Sequence, residues 1–149
     1  MASFVARTVE RSGGQLPAAG DQGFGDIAGN VHAERINQLA AAGIVQGTAA
    51  GTYAPGSPVT RAQMATFLVR AFEYRTGEEL AATRDHFADD DGNAHEDNID
   101  KVAEAGFSTG TTATTFAPQD RVRRDQMASF LTRMLDRLVN DDLTARPGS

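Results

Sequence analysis

The chain has 149 residues, of which 40% are hydrophobic, and a formal net charge of -6 at pH 7. This acidic balance repels phosphate backbones and anionic lipid surfaces, so no nucleic-acid partner is expected. Cysteine is absent, which excludes disulfides and thiolate metal sites. No apolar run approaches the roughly 20 residues that span a bilayer, so no membrane insertion is expected.

The first predicted element belongs to an internal repeat. "MASFVAR" at the start returns within "VTRAQMATFLVR", residues 59–70, and within "VRRDQMASFLTR", residues 122–133. Met1, Met64 and Met127 are evenly spaced, and the register needs no gap. The chain therefore holds the second half of one unit, residues 1–12, and two whole units, residues 24–74 and 87–139. A polar tail, residues 140–149, is expected to be poorly ordered.

Each whole unit begins with a short helix that is predicted from its caps. Asn93 precedes "AHEDNIDKVAEA", and Glu96 stands three residues later, where it can close a capping box. Ile99 and Val102 supply the buried face, and Gly106 occupies the left-handed position that ends a helix. The corresponding residues of the first unit are Asn30, Ile36, Leu39 and Gly43.

A loop and a second helix complete each unit. The loops, "VQGTAAGTYAPGSPV" and "STGTTATTFAPQDRV", contain Gly, Thr and Pro residues that disfavour helix. Tyr53 and Phe116 are expected to anchor the loops to the core. Thr60 and Gln63 predict a capping box at the start of the second helix. Arg123 replaces the capping Thr in the last unit, so that helix start is expected to be less ordered or to use another cap.

The second helices have related apolar faces. Their apolar residues recur at i, i+3, i+4 and i+7, which predicts one buried face on each helix. The helices that begin near Met1, Arg61 and Arg124 are therefore expected to form one three-helix core. The side chains expected to meet there are Phe4, Phe67 and Phe130 in one register and Val5, Leu68 and Leu131 in another.

Two stretches contain the whole pattern: "FGDIAGNVHAERINQLAAAGIVQGTAAGTYAPGSPVTRAQMATFLVRA" and "FADDDGNAHEDNIDKVAEAGFSTGTTATTFAPQDRVRRDQMASFLTRM". They combine F-x-D, a capped helix, a glycine turn, an aromatic-x-Pro loop and the start of a second helix in a fixed order. The pair resembles tandem S-layer homology (SLH) modules of the kind found in actinobacteria. The resemblance implies an all-α fold, mainly helical with ordered loops, and a pseudo-threefold spindle around the three-helix core.

The resemblance also implies a function. SLH modules act as non-catalytic cell-surface anchors. They bind secondary cell-wall polysaccharide in grooves between modules, often through a pyruvylated sugar. An extracellular location at the cell wall and the absence of a cofactor follow from the same resemblance. The usual Glu of the motif is Gln in both units. The glycan-binding candidates carried over are Thr60, Arg61, Gln63, Arg124 and Gln126, with Gly43, Gly47, Gly106 and Gly110 as weaker candidates.

Several interpretations stay open at this point. Arg61 and Arg124 can engage a sugar carboxylate beside the N–H groups of a helix start, or they can pair with acids and pack over the loop. The alternative to an anchor is a self-assembling coat or filament subunit, hence a homo-oligomer, or another protein-interaction module. The start at Met1 is expected to mark either a fragment of a longer secreted protein or a face that another subunit covers.

The remaining polar clusters favour structure over chemistry. His32 and His95 occupy equivalent positions, where metal binding is less expected than a hydrogen bond to the preceding turn. "DDDGN", residues 89–93, resembles a calcium loop, but Gly92 falls fourth where an EF-hand needs its glycine sixth. A capped turn is predicted there, and no metal site is expected. Because no catalytic motif appears, the chain is not expected to be an enzyme.

Overall fold

The computed structural model describes residues 1–145, with side chains up to residue 141. This part of the chain contains five α-helices, which confirms the all-α prediction, and its β-pairing is limited to two isolated bridges. None of the described helices has the length and hydropathy needed to cross a membrane. The helices are α1 (Ala2–Arg11), α2 (Ala33–Ala41), α3 (Arg61–Thr76), α4 (Glu96–Glu104) and α5 (Arg124–Ala145).

The three long helices pack together. Each of α1, α3 and α5 contacts the other two, as the related apolar faces predict. Val5, Leu68 and Leu131 occupy equivalent positions of the repeat, and all three are buried in the core. The pseudo-threefold spindle stays a prediction, whereas the mutual contact of the three helices is confirmed.

The prediction that Phe4, Phe67 and Phe130 meet in the three-helix core is wrong in part. Phe130 is buried, but Phe4 is 46% exposed and Phe67 is only partly buried. Consecutive residues of an α-helix point about 100° apart, so the phenylalanines flank the Val and Leu positions instead of sharing their direction. The aliphatic register, and not the aromatic one, therefore marks the centre of the core.

The short helices pack on the long helix of the preceding unit. Helix α2 packs against α1, and α4 packs against α3. Ser3 Oγ and His32 Nδ1 share a hydrogen bond of 2.7 Å, and Thr66 Oγ1 and His95 Nδ1 repeat it at 2.7 Å. The two histidines thus have the local structural role that their repetition predicts, although the partner is a long helix and not the preceding turn.

The starts of the long helices follow the sequence prediction closely. Thr60 Oγ1 accepts a hydrogen bond from Gln63 N at 3.2 Å, and Gln63 Oε1 accepts one from Thr60 N at 3.0 Å. Helix α5 keeps only half of this arrangement, because Gln126 Oε1 accepts from Arg123 N at 3.1 Å. The Arg123 side chain pairs instead with Asp125 at 3.1 Å, so α5 begins without a side-chain acceptor at its cap position.

The predicted starts of the short helices are wrong by two residues, because His32 and His95, and not Asn30 and Asn93, directly precede the first helical residue. Helix α4 begins at Glu96, and Asn93 Oδ1 accepts a hydrogen bond from His95 N at 2.9 Å in the turn before it. Asn side chains favour such local turns as much as helix caps, which explains the shift. The predicted helix ends are confirmed, since Gly106 has φ +80° and Phe107 N donates to Val102 O at 2.9 Å.

Helix α5 continues to Ala145, into the tail that is predicted to be poorly ordered, and the order of residues 140–145 stays a prediction. Met134 and Leu138 extend its buried face, and Arg137 pairs with Asp141 one turn later at 3.2 Å. Residues 146–149, to which the same prediction applies, lie outside the described part of the chain.

Candidate functional site

An aspartate at the start of each unit holds the loop of that unit. The Asp26 carboxylate accepts hydrogen bonds from Tyr53 N at 2.9 Å and from Ala54 N at 2.7 Å, and these bonds lower the pKa of Asp26. Ala54 has φ +60°, a conformation that costs energy for any residue with a Cβ atom. The second unit repeats the arrangement with Asp89, Phe116 and Ala117 at 2.7 and 2.8 Å.

Gly47 and Gly110 give each loop a close approach to an aromatic ring. Gly47 has φ +80°, and a Cβ atom there would lie 2.8 Å from Phe24 Cε1 and 2.4 Å from Thr52 O. At Gly110, with φ +77°, a Cβ atom would lie 2.5 Å from Phe87 Cε1. Both glycines are therefore required by packing and backbone conformation, whatever else they contact.

A groove lies between the loop of the first whole unit and the long helix that follows it. Its cavity has a volume of about 500 Å³ and extends from the N-terminus of α1 to the N-terminal end of α4. We call it the 46–59 groove. Its lining includes Met1, Asn30, His32, Gln46, Gly47, Thr48, Tyr53, Gln63, Thr66, Phe67, Arg70 and His95.

The 46–59 groove combines aromatic surface, uncharged polar groups and the guanidinium of Arg70. Tyr53 and Phe67 supply the rings, and Gln46 and Gln63 supply amides. Arg70 forms no ion pair with any side chain that the structure describes. An acidic protein therefore presents a locally positive wall to this groove.

His95 stands next to that cation. Burial lowers the pKa of His95, and the positive charge of Arg70 lowers it further. Its Nδ1 is hydrogen bonded to Thr66 Oγ1, which fixes the ring at the groove wall. Arg70 is the one Arg or Lys side chain among the described residues that line this groove, and no Asp or Glu is among them.

Arg61 has a different environment. It is only 3% exposed, and its Nε donates a hydrogen bond of 2.7 Å to Phe116 O. The guanidinium lies 4.6 Å from the centre of the Phe116 ring and 5.3 Å from that of Phe130. Burial lowers the pKa of Arg61. These contacts join α3 to the loop and long helix of the following unit.

Comparison with known families agrees with this architecture. The S-layer homology domain profile matches residues 23–65 and 86–128, more than half of the chain. The chain belongs to the S-layer homology (SLH) domain family. The two matches begin within one residue of the aromatic of each F-x-D motif and end within α3 and α5. The aspartate that holds the loop, the loop itself and the start of the long helix therefore fall inside each matched SLH region.

Similar SLH segments occur in much longer proteins. The chain is 35% identical over 98 residues to an endoglucanase of Bacillus sp. (strain KSM-635), which is 66% of this chain and 10% of that protein. It is 32% identical over 126 residues to the S-layer protein sap of Bacillus anthracis, 83% of this chain and 15% of that protein. It is 30% identical over 122 residues to the surface-layer 125 kDa protein of Lysinibacillus sphaericus, 81% and 10% of the two lengths. The chain thus spans only a small part of each of these relatives.

The structure separates the candidate glycan-binding residues of the SLH modules into two groups. Gln63 and Gly47 line the 46–59 groove. Thr60 caps α3, Arg61 is packed under the second loop, and Gly110 supports that loop. Neither Arg124 nor Gln126 is among the residues lining this groove.

Arg70 is a groove residue that the sequence analysis missed. The repeat register gives Arg7, Arg70 and Arg133 at one equivalent position in the three copies of the long helix. Arg70 also lies two helical turns after Gln63, which places both side chains on one face of α3. The repeat register and the helical period together were sufficient to find it.

Proposed function

We propose that these two SLH modules attach a larger extracellular protein to the cell wall by binding an anionic secondary wall polysaccharide in the 46–59 groove. SLH domains are non-catalytic anchoring modules, and the family indicates a location at the cell wall or cell surface. The observation that carries the proposal is the groove itself, in which two aromatic rings, several amides and Arg70 face one cavity.

The groove residues suit the chemistry of an acidic sugar. Gln46 and Gln63 each offer an amide donor and acceptor to sugar hydroxyls, while Tyr53 and Phe67 offer flat apolar surface to the ring faces. A carboxylate on the sugar, such as that of a pyruvyl group, can form two parallel hydrogen bonds with the Arg70 guanidinium. Arg70 therefore takes the role that the motif assigns to Arg61.

The proposal is tested with the 149-residue chain and purified cell walls. We expect the chain to sediment with walls that retain their polysaccharide and to stay in solution with walls from which it has been extracted. Soluble polysaccharide should release the bound chain, and removal of its pyruvyl groups should abolish that competition. Equal sedimentation with both wall preparations would contradict the proposal.

A failed retention experiment has a second informative outcome. Absence of retention together with light scattering that grows with concentration would favour a self-assembling coat or filament subunit. The names of the two surface-layer relatives agree with an anchor and with a coat subunit alike. The name of the endoglucanase describes a protein of which this chain matches only 10% of the length. The assignment to the actinobacterial type of SLH module stays a prediction from the sequence.

A further inference from the structure

Three carboxylates converge at the start of the second SLH module, away from the 46–59 groove. One oxygen each of Asp85, Asp90 and Asp91 lies within 4.8 Å of the others. Ca²⁺ binds oxygens at about 2.4 Å, so two of its ligands are at most about 4.8 Å apart. The three oxygens are therefore close enough to coordinate one ion, and the exposure of Asp85 and Asp91 leaves room for water ligands.

The central carboxylate of this cluster has no partner within the described part of the chain. Asp90 is 1% exposed, and neither of its side-chain oxygens forms a hydrogen bond there. Asp100 is also buried, at 7% exposed, and its charge acts on Asp90. Burial and the charges of Asp100 and Asp85 raise the pKa of Asp90 to about 6. A buried, unpaired carboxylate among other acids is unfavourable unless a cation compensates for it.

The first SLH module shows that the fold does not require these acids. The four equivalent positions, one repeat earlier, are Gln22, Ile27, Ala28 and Asn37. Ile27 is 4% exposed, so the position of Asp90 is an apolar core position in the first module. All four sites are neutral in one module and acidic in the other. The acids are thus a specific property of the second module.

We propose that Asp85, Asp90 and Asp91 bind one Ca²⁺ ion, with Asp100 adding negative charge near Asp90. Carboxylate oxygens in an irregular arrangement suit Ca²⁺, whereas Mg²⁺ demands near-ideal octahedral geometry and Zn²⁺ is bound mainly through nitrogen and sulfur. This site departs from the expectation of no metal, which rested on the spacing of residues 89–93 alone. Asp85 and Asp100 lie outside that segment, and the fold brings them to it.

The ion would stabilise the turn that precedes α4. Asp90 O accepts a hydrogen bond from Asn93 N at 2.8 Å, and Asp100 Oδ1 accepts one from His86 N at 2.7 Å. Binding at Asp90 would therefore fix both the turn and the segment that enters the module. The proposal is independent of glycan binding, because neither Asp85 nor Asp90 nor Asp91 lines the 46–59 groove.

The test is calorimetric titration of the chelator-treated 149-residue chain with CaCl₂, together with thermal unfolding. We expect one site per chain, with a dissociation constant on the order of 10⁻⁴ to 10⁻³ M, as in other extracellular modules, and weaker binding of MgCl₂. The midpoint of thermal unfolding should rise with CaCl₂ concentration. Absence of binding heat at about 10 mM CaCl₂, with an unchanged unfolding midpoint, would overturn the proposal.

The repeat supplies matched variants. Asp90→Ile introduces the residue of the first module, and it should abolish both calcium responses while the helical circular dichroism is retained. Asp136→Asn removes an exposed acid on α5 and should leave both responses intact. Asp85→Gln and Asp91→Ala also introduce the residues of the first module, and each should weaken calcium binding. They test the site even if Asp90→Ile fails to fold. A parent-like calcium response in all three cluster variants would refute the site.

Discussion

Single side chains determine the position of the loops that border the groove. Asp26 and Asp89 each bind two backbone N–H groups from the far side of their own module, next to an alanine with positive φ. A carboxylate accepts both bonds at once, which explains why each module needs Asp two residues after its first aromatic. The sequence pattern indicates that this residue matters, but only the fold identifies what it binds.

Acidification should loosen the first loop. Hydrogen bonds from Tyr53 N and Ala54 N lower the pKa of Asp26 in the folded state. Its contribution to stability is therefore complete above the ordinary Asp pKa and is lost as pH falls through the lower folded pKa. Amide exchange of Thr52 to Ala54, corrected for intrinsic rates, should accelerate in that range. In Asp26→Asn these amides should already exchange rapidly at pH 7, whereas Glu79→Gln should match the parent.

Gly47→Ala should destabilise the chain by more than Gly29→Ala. Both residues have positive φ, but a Cβ atom at Gly29 meets no atom within 4 Å. The backbone conformation alone should cost about 1–2 kcal/mol at Gly29, and the contacts with Phe24 and Thr52 should add about 1–3 kcal/mol at Gly47. Urea unfolding of the two variants measures the difference. Equal unfolding free energies would mean that the loop relaxes without cost.

At the level of the helices, the sequence predicted type and order better than starts and partners. The capping box of α3 and the glycine ends of α2 and α4 follow from local chemistry, so they were predictable. The start of α4 was not, because Asn93 can cap a helix or form a turn with equal ease. The packing of each short helix on the preceding unit depends on long-range contacts, which the repeat boundary does not reveal.

The unequal caps of α3 and α5 give a paired prediction. Thr60→Ala removes the acceptor for Gln63 N and should lower the free energy of unfolding by about 1 kcal/mol. Arg123→Thr should restore the missing acceptor of α5 and raise the unfolding temperature, because the exposed Arg123–Asp125 pair that it removes contributes little. Thermal unfolding of both variants checks the signs. A lower unfolding temperature for Arg123→Thr would contradict the account of the α5 start.

At the level of the whole molecule, stability should depend on the aliphatic positions shared by the three long helices. Leu68 is 1% exposed, so Leu68→Ala should cost about 2–5 kcal/mol in unfolding free energy. Phe4→Ala, at the exposed position one residue before Val5, should cost much less. Chemical denaturation measures both. A Phe4→Ala variant as unstable as Leu68→Ala would contradict the assignment of the core.

Contacts between modules explain why the candidate site was predicted only in part. Arg61 is buried by a loop and a helix that come from the following module, so its helix start alone could not exclude a binding role. The surroundings of Asp90 were not predictable either, because its acidic neighbours Asp85 and Asp100 come from either side of its turn. Gln63 and Gly47 both line the groove, since loop and helix start are linked within one motif, and their role in glycan binding stays a prediction.

Under the proposed function, the 46–59 groove binds an anionic wall glycan through Arg70. Arg70→Gln removes the guanidinium from the groove. Arg7→Gln removes the guanidinium at the equivalent position of α1, where the side chain is exposed and does not line this groove. Calorimetric titration with purified wall polysaccharide measures the dissociation constant of each variant. We expect Arg70→Gln to bind about 10 to 100 times more weakly than the parent, the loss of a charge-assisted hydrogen bond, and Arg7→Gln to bind like the parent. Parent-like binding by a correctly folded Arg70→Gln variant would contradict the claim.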